Sequence, residues 1–281
     1  MTRSFAHGDH SHTQKQVRNG GGHTRPGRDR RREFSQNFLT DAAEIGRIVR
    51  AARPARDGLI LEPGAGEGHL TRALADHCRK VIAYEIDPLL AGRLAARTRD
   101  DDRIEVARGD FTTARAPGRP FAVVGNIPYS VTAGIVRWCL RAPDLTSATL
   151  VTQWEYARKR TGDYGRWSRL TVTTWPRYAW ELHGRIDRER FRPVPQTDSA
   201  IMRIERRPAG LLPAGTLADY AEFVELGFGG HGGTLYASLS RRHPPGVVGD
   251  AFARAGVDPA AVVAYVHPDQ WLTLFRHVVL G

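Results

Sequence analysis

Residues 61–71 read LEPGAGEGHLT, and the fold turns on how this stretch is read. The apolar run LILE at 59–62 precedes it, bounded by proline and glycine, which predicts a short buried strand. The pattern of 68–79, GHLTRALADHCR, predicts a helix directly behind it. Glycines at 64, 66 and 68 between strand and helix therefore predict a tight turn whose backbone comes close to a ligand.

The chemistry of the turn narrows the ligand. The spacing is G-x-G-x-G rather than the G-x-G-x-x-G of dinucleotide enzymes, and Glu62 closes the strand. A carboxylate there repels a pyrophosphate and suits a cation. S-adenosylmethionine, with a sulfonium and an ammonium and no phosphate, meets that description.

Strand patterns recur at 81–86, 104–108, 121–125 and 148–152, with a second helical stretch at 89–99. Such alternation predicts an α/β fold: a mostly parallel sheet with helices on both faces. Strand candidates at 171–182 and 199–206 lack a clear helix between them, so an antiparallel edge is expected. Pro208 and the loop GLLPAG at 210–215 mark a boundary. Beyond it, 216–229, 246–256, 258–264 and 268–278 read as helices, with Pro259 and Pro268 near two of the starts. Three parts are expected: a basic arm 1–32, a sheet domain 33–208 and a small helical domain 209–281.

Further ligand-type groups stand at successive strand ends. Glu85 ends the second strand, where an acid holds two ribose hydroxyls, although Asp87 lies on the same side. Asp110 ends the third, where it can accept from an exocyclic amine with Phe111 packed beside the ring. The run Phe121-Ala122-Val123-Val124 then leads into GNIPYS at 125–130. Pro128 has no N–H and pushes Ile127 toward an extended conformation, which leaves loop carbonyls without helix partners.

The chain has 281 residues, a net charge of +11 and a pI near 10.3, and nearly all the positive charge is arginine. This balance implies a polyanionic partner, nucleic acid before membrane. Residues 1–32 hold eight basic side chains against two acids and almost no apolar residues, so they read as a flexible arm that touches nucleic-acid phosphates. The histidines of that arm have no fixed spacing, and Cys78 and Cys139 are too few for a zinc site or a disulfide scaffold, so no metal is expected. No apolar run approaches the length of a membrane span, and the first residues lack the apolar core of a secretory signal. A cytoplasmic protein is expected, with no membrane partner.

Together the motifs resemble a family. SQNFL at 35–39, Glu62-x-Gly64-x-Gly66, Glu85, Gly109-Asp110, Asn126-Ile127-Pro128-Tyr129 and Phe191-x-Pro193-x-Pro195 occur in the order seen in rRNA adenine N6-methyltransferases. The Arg-rich lead into SQNFL, the segment RFRPVPQTDSA and GGTLYASLSRR at 232–242 are more similar to the Erm macrolide-resistance methylases than to the small-subunit dimethyladenosine transferases. Thr197 stands where a valine is frequent, a minor departure.

The resemblance implies a class I, Rossmann-like methyltransferase fold that binds S-adenosylmethionine through Asn37, Leu39, Gly64, Glu85, Asp110 and Asn126. It implies that the partner is 23S rRNA, one adenine of which receives one or two methyl groups at N6, and that this blocks macrolide-type antibiotics. A 16S rRNA adenine dimethyltransferase of small-subunit maturation is the alternative, and a DNA adenine methylase is a more distant one. The Asn126 oxygen and the carbonyl of Ile127 or Pro128 are the expected acceptors for the adenine amine. Tyr129 and Phe191 are expected to sandwich the base. Beyond the pocket, RNA contacts are expected from Arg30, Arg31 and Arg32 of the arm, from Arg158, Lys159, Arg160, Arg166 and Arg169 interleaved with Trp154, Tyr156, Tyr164 and Trp167, and from Arg241 and Arg242. Nothing in the sequence calls for obligate association, so a monomer is expected.

Overall fold

A computed structural model describes residues 37–281; the arm 1–32, with Arg30, Arg31 and Arg32, and the Ser35-Gln36 start of the SQNFL motif lie outside the described residues. A two-residue strand, β1 (Phe38–Leu39), leads into α1 (Ala42–Ala52). Asp41 caps that helix, its carboxylate accepting from the N–H groups of Ala43 and Glu44, two donors that no helical carbonyl can satisfy. Ile45, Ile48, Val49 and Ala52 recur at helical spacing and form the buried face.

The alternation expected from the sequence follows. It runs β2 (Leu59–Pro63), α2 (His69–Ala75), β3 (Lys80–Glu85), α3 (Pro88–Thr98), β4 (Ile104–Arg108), β5 (Phe121–Asn126), α4 (Thr132–Arg141) and β6 (Leu145–Gln153). After α5 (Trp154–Thr161) and α6 (Arg169–Thr174) come β7 (Tyr178–Ile186), β8 (Phe191–Arg192) and β9 (Ser199–Arg206). Seven strands form one sheet in the order β4-β3-β2-β5-β6-β9-β7, while β8 pairs with β1. β2 through β6 are parallel, and β9 runs antiparallel to both β6 and β7. No α-helix separates β7 from β9, so the chain returns without a crossover and an antiparallel edge results.

The strand order reverses between β2 and β5, which lie side by side with Leu61 opposite Val123. The crevice outside their carboxyl ends is the topological switch point, where open α/β sheets bind ligands. The Gly-rich turn and the GNIPYS loop are the two segments that leave the sheet there.

Two apolar clusters flank the sheet. One joins Phe111, Phe121, Ile135, Val136 and Trp180; the other joins Ile48, Leu74, Val81, Val151 and Ile201. Cys78 and Cys139 are unpaired and buried, and burial pushes both thiols up, in keeping with small apolar residues rather than reactive ones. A third cluster belongs to the C-terminal helices α7 (Leu217–Phe228), α8 (Leu235–Leu239), α9 (Pro245–Ala255) and α10 (Pro268–Phe275), centred on Tyr220, Trp271 and Phe275. Val172 belongs to it, and Trp167 and Trp175 pack against it, so residues before Pro208 contribute to this C-terminal core. The described residues belong to one compact unit.

Two expected elements differ. The start of 171–182 is helical: Ser168 caps α6 through Thr171 N–H, and the strand begins only at Tyr178. The segment 258–264 is not a helix. Asp258 accepts from Ala260 N–H in a turn, and only the 3-10 turn Val263–Tyr265 follows. No helix among the described residues is long and apolar enough to cross a membrane.

Candidate active site

The turn after β2 is held from three sides. Gly64, Gly66 and Gly68 all have positive φ (72°, 56° and 79°), a conformation glycine adopts without steric cost. The Gly64 and Ala65 N–H groups donate to the Tyr84 carbonyl at 2.9 and 3.0 Å, which fastens the turn to β3. A Cβ on Gly66 would stand 2.9 Å from the Phe38 ring, and one on Gly68 would stand 2.3 Å from Leu94 of α3. The three-glycine spacing thus reflects a turn pressed between β1 and α3.

The acids divide their work. Glu85 is buried and accepts from Gly66 N–H at 2.8 Å and Asp87 N–H at 2.9 Å, so it braces the turn. Asp87 caps α3 by accepting from the N–H groups of Leu89 and Leu90. Burial raises the Glu85 pKa above the usual carboxylate range. Glu62 is 1% exposed, and its Oε2 has no hydrogen-bond partner. Burial first, opposed by the neighbouring Thr71 hydroxyl and helped by the charge of Glu85, pushes its pKa up to about 8. Asp110 is exposed at the end of β4, where its Oδ1 accepts from the Thr112 N–H and hydroxyl, both at 2.8 Å. Phe111 is 5% exposed and packs edge-on to Tyr84, with ring centroids 5.2 Å apart.

Across the cleft, Asn126 ends β5. Its Nδ2 donates to the Asn37 carbonyl at 2.8 Å, which fixes the roll of the amide and turns Oδ1 the other way. A Cβ on Gly64 would lie 3.5 Å from Pro128, so the Gly-rich turn and the GNIPYS loop face each other. The Pro128 carbonyl already accepts from Val131 N–H at 3.2 Å and the Thr132 hydroxyl at 3.4 Å. The Tyr129 hydroxyl bonds Ser199 Oγ at 2.7 Å, which holds the half-buried ring in place. Nothing in the sequence pattern singled out Ser199 for this role; it lies in the segment RFRPVPQTDSA, on a strand distant in sequence.

Two small cavities occupy the cleft. One, of about 30 Å³, is lined by Leu39, Glu62 and His69, and the other, of about 50 Å³, by Asn37, Glu85, Ile127, Pro128 and Tyr129. Phe38, Gly64 and Asn126 line both, so the two cavities adjoin. Of the residues expected to hold cofactor, Asn37, Leu39, Gly64, Glu85 and Asn126 come together here, and Asp110 does not line either cavity.

Phe191 departs from expectation. It is 0% exposed, sits opposite Leu39 in the β1–β8 pair, and belongs to the same apolar cluster as Ile45, Ile186 and Ile201. With both faces covered it locks β8 against β1 instead of stacking on a base. Arg158 departs as well. It is 8% exposed, pairs with Asp163 and lies over Tyr164 and, at 5.1 Å, Trp154. Arg160 donates to Ser168 Oγ at 2.9 Å and lies over Tyr156, and Arg169 pairs with Glu225. Trp154, Tyr156 and Tyr164 are therefore partners of the cluster's own arginines, while Trp167 packs edge-on against Trp175 and His267. Lys159, Arg166, Arg241 and Arg242 are exposed, Arg166 resting on Tyr265.

A switch-point cleft with a glycine turn, buried acids and an Asn-Ile-Pro-Tyr loop, set on this seven-stranded sheet, defines a class I methyltransferase. The crystal structure of the 23S rRNA methyltransferase ErmE superposes with a TM-score of 0.84 at 53% identity, covering 86% of this chain and 99% of that one. A family model described as ribosomal RNA adenine dimethylase matches residues 27–279. An rRNA adenine N-6-methyltransferase of Streptomyces fradiae is 58% identical over 88% of this chain and 78% of its own length. The mycinamicin-resistance protein MyrB of Micromonospora griseorubida is 36% identical over 88% and 78%. The chain belongs to the ribosomal RNA adenine dimethylase family, the S-adenosylmethionine-dependent rRNA (adenine-N6)-methyltransferases.

Proposed function

We propose that the protein transfers one or two methyl groups from S-adenosylmethionine to N6 of a single adenine in 23S rRNA, and that this protects the ribosome from macrolide-type antibiotics. The observation that carries the reading is the anchored Asn126 amide, facing the Gly-rich turn across the switch-point cleft. The likeness to a 23S rRNA methyltransferase at 53% identity supports the large subunit over 16S rRNA, and the likeness to a mycinamicin-resistance protein supports the protective role. We take the enzyme to act as a cytoplasmic monomer.

The residues present fit the cofactor. Glu62, buried with an unpartnered oxygen, suits a cationic group, and Glu85 suits the ribose hydroxyls. Asn37, Leu39 and Gly64 would border it, with Asp110 at the strand end beyond. When bound, S-adenosylmethionine supplies an electrophilic methyl on its sulfonium.

The adenine amine is a poor nucleophile because its lone pair is delocalised into the ring. Asn126 Oδ1 and the Ile127 carbonyl accept from its two N–H groups, favour a more tetrahedral nitrogen and stabilise the positive charge that develops. Asn37 keeps that oxygen from rotating away. The adenine must first leave its stack. Tyr129, tethered by Ser199, then offers a fixed ring face, worth about 1–3 kcal/mol of stacking. The methylated nitrogen is acidic enough to lose its proton to water, so no side-chain base is needed. Asn126→Ala tests this: a folded variant should lose methyl transfer to a 23S rRNA transcript almost completely, and full retained activity would rule the mechanism out.

A further inference from the structure

Away from the cleft, α1 and α2 enclose a second, larger groove of about 660 Å³. Its walls carry Arg50, Arg53, Arg56 and Arg72, all exposed, together with His69 and His77. The one carboxylate among the lining residues, Asp76, is bound by Arg103 at 3.2 Å. Most of the arginine charge is uncompensated. Arg56 donates to the Asp76 carbonyl and Arg72 to the Glu67 carbonyl, both neutral acceptors. Arg53 lies 3.7 Å from Glu205, but that acid is also held by Arg203 at 3.2 Å. Among the described residues no carboxylate pairs with Arg50. Ile45, Val49 and Ala73 give the groove an apolar lining between the charges.

Position connects the groove to the chemistry. His69 and Ile45 line both the groove and the smaller cavity of the cleft, so one end of the groove lies beside the active site. From there it follows α1, an 11-residue helix about 16 Å long. That is room for a few successive phosphodiesters. Guanidinium forks match phosphate and carboxylate oxygens alike, and four of them along one groove suit a regularly repeating anion, as a nucleic-acid backbone is.

We propose that the α1–α2 groove is a phosphodiester track for the RNA strand flanking the target adenine. It rests on the reading of rRNA as substrate, and it supplies charge that the Arg158 cluster, largely self-paired, does not. The test is the full-length triple variant Arg50→Gln/Arg53→Gln/Arg56→Gln, compared with Arg93→Gln/Arg97→Gln/Arg99→Gln, which removes equal exposed charge from and just beyond α3. Methyl transfer to a 23S rRNA transcript is measured against RNA and salt concentration, and binding of the same transcript by fluorescence anisotropy. The groove variant should raise the RNA KM about tenfold with kcat within twofold, and its binding slope against log salt should fall by about 2, near 0.7 per lost single-strand contact. The control should move either value by less than half as much, and the groove variant with lysines in place of glutamines should recover most of the affinity. An unchanged KM and salt slope, or equal losses in the control, would overturn the track. Should the wild type methylate no 23S transcript, the substrate reading fails on its own, and the anisotropy arm still decides whether the groove holds RNA.

Discussion

Glu62→Gln probes the least comfortable group in the molecule. The Glu62 carboxyl is buried, one oxygen lacks a partner, and burial next to Glu85 sets its pKa at about 8. At pH 7 such an acid is about 90% protonated. A sulfonium or ammonium placed against it favours the carboxylate and draws the pKa back down. Cofactor binding at pH 7 should therefore release close to one proton, about 0.9, from this side chain. Isothermal titration calorimetry in buffers of different ionisation enthalpy counts that proton directly. Comparing wild type with Glu62→Gln cancels the titration of the ligand's own amine. The wild type should release the additional proton, and its affinity relative to the variant should grow as pH rises from 6.5 to 8.5. Equal proton release in both proteins would refute the idea that Glu62 reads the cofactor's charge.

The same acid predicts how the cofactor-free protein responds to pH. Its folded pKa is raised from 4.5 to about 8, so the folded state holds the proton more tightly than the unfolded chain. Its contribution is fully present below pH 4.5 and is lost as pH rises toward 8; denaturant titrations should show this slope in the wild type and a shallower one in Glu62→Gln. Ser199→Ala removes the hydroxyl that positions Tyr129, and should lower single-turnover methylation about fivefold while the lost hydrogen bond, about 1 kcal/mol, lowers the melting temperature by only about 2–4 °C. Phe191→Ala should cost about 3–5 kcal/mol of stability in urea, as for any large ring removed from a core, whereas Phe191→Leu should remain folded and active. A stable, inactive Phe191→Leu would instead restore Phe191 to the substrate pocket.

Glycines at 64, 66 and 68 behind a strand made the sheet legible, because a strand-turn-helix unit repeated at regular spacing permits few topologies. Likewise, the strand-end acids marked the switch point, although only the hydrogen bonds separated Glu85, which braces the turn, from Asp87, which caps a helix. The β-branched stretch at 171–174 was misleading: it reads as strand, but the Ser168 cap and burial of Val172 among the C-terminal helices make it helical. Phe191 shows a second limit. A motif marks its position, yet its exposure depends on Leu39, a partner distant in sequence. Arg158 shows a third, since interleaved aromatics look alike whether they stack on bases or on neighbouring arginines. The α1–α2 groove escaped the sequence because its arginines come from two helices whose packing brings them together.

One experiment bears on the central claim most directly. Ribosomal RNA from cells with and without the protein can be mapped by primer extension and by mass spectrometry that resolves N6-methyladenine from N6,N6-dimethyladenine. The account predicts a protein-dependent modification at one adenine of 23S rRNA, lost with Asn126→Ala and accompanied by macrolide resistance. Modification confined to 16S rRNA would contradict it.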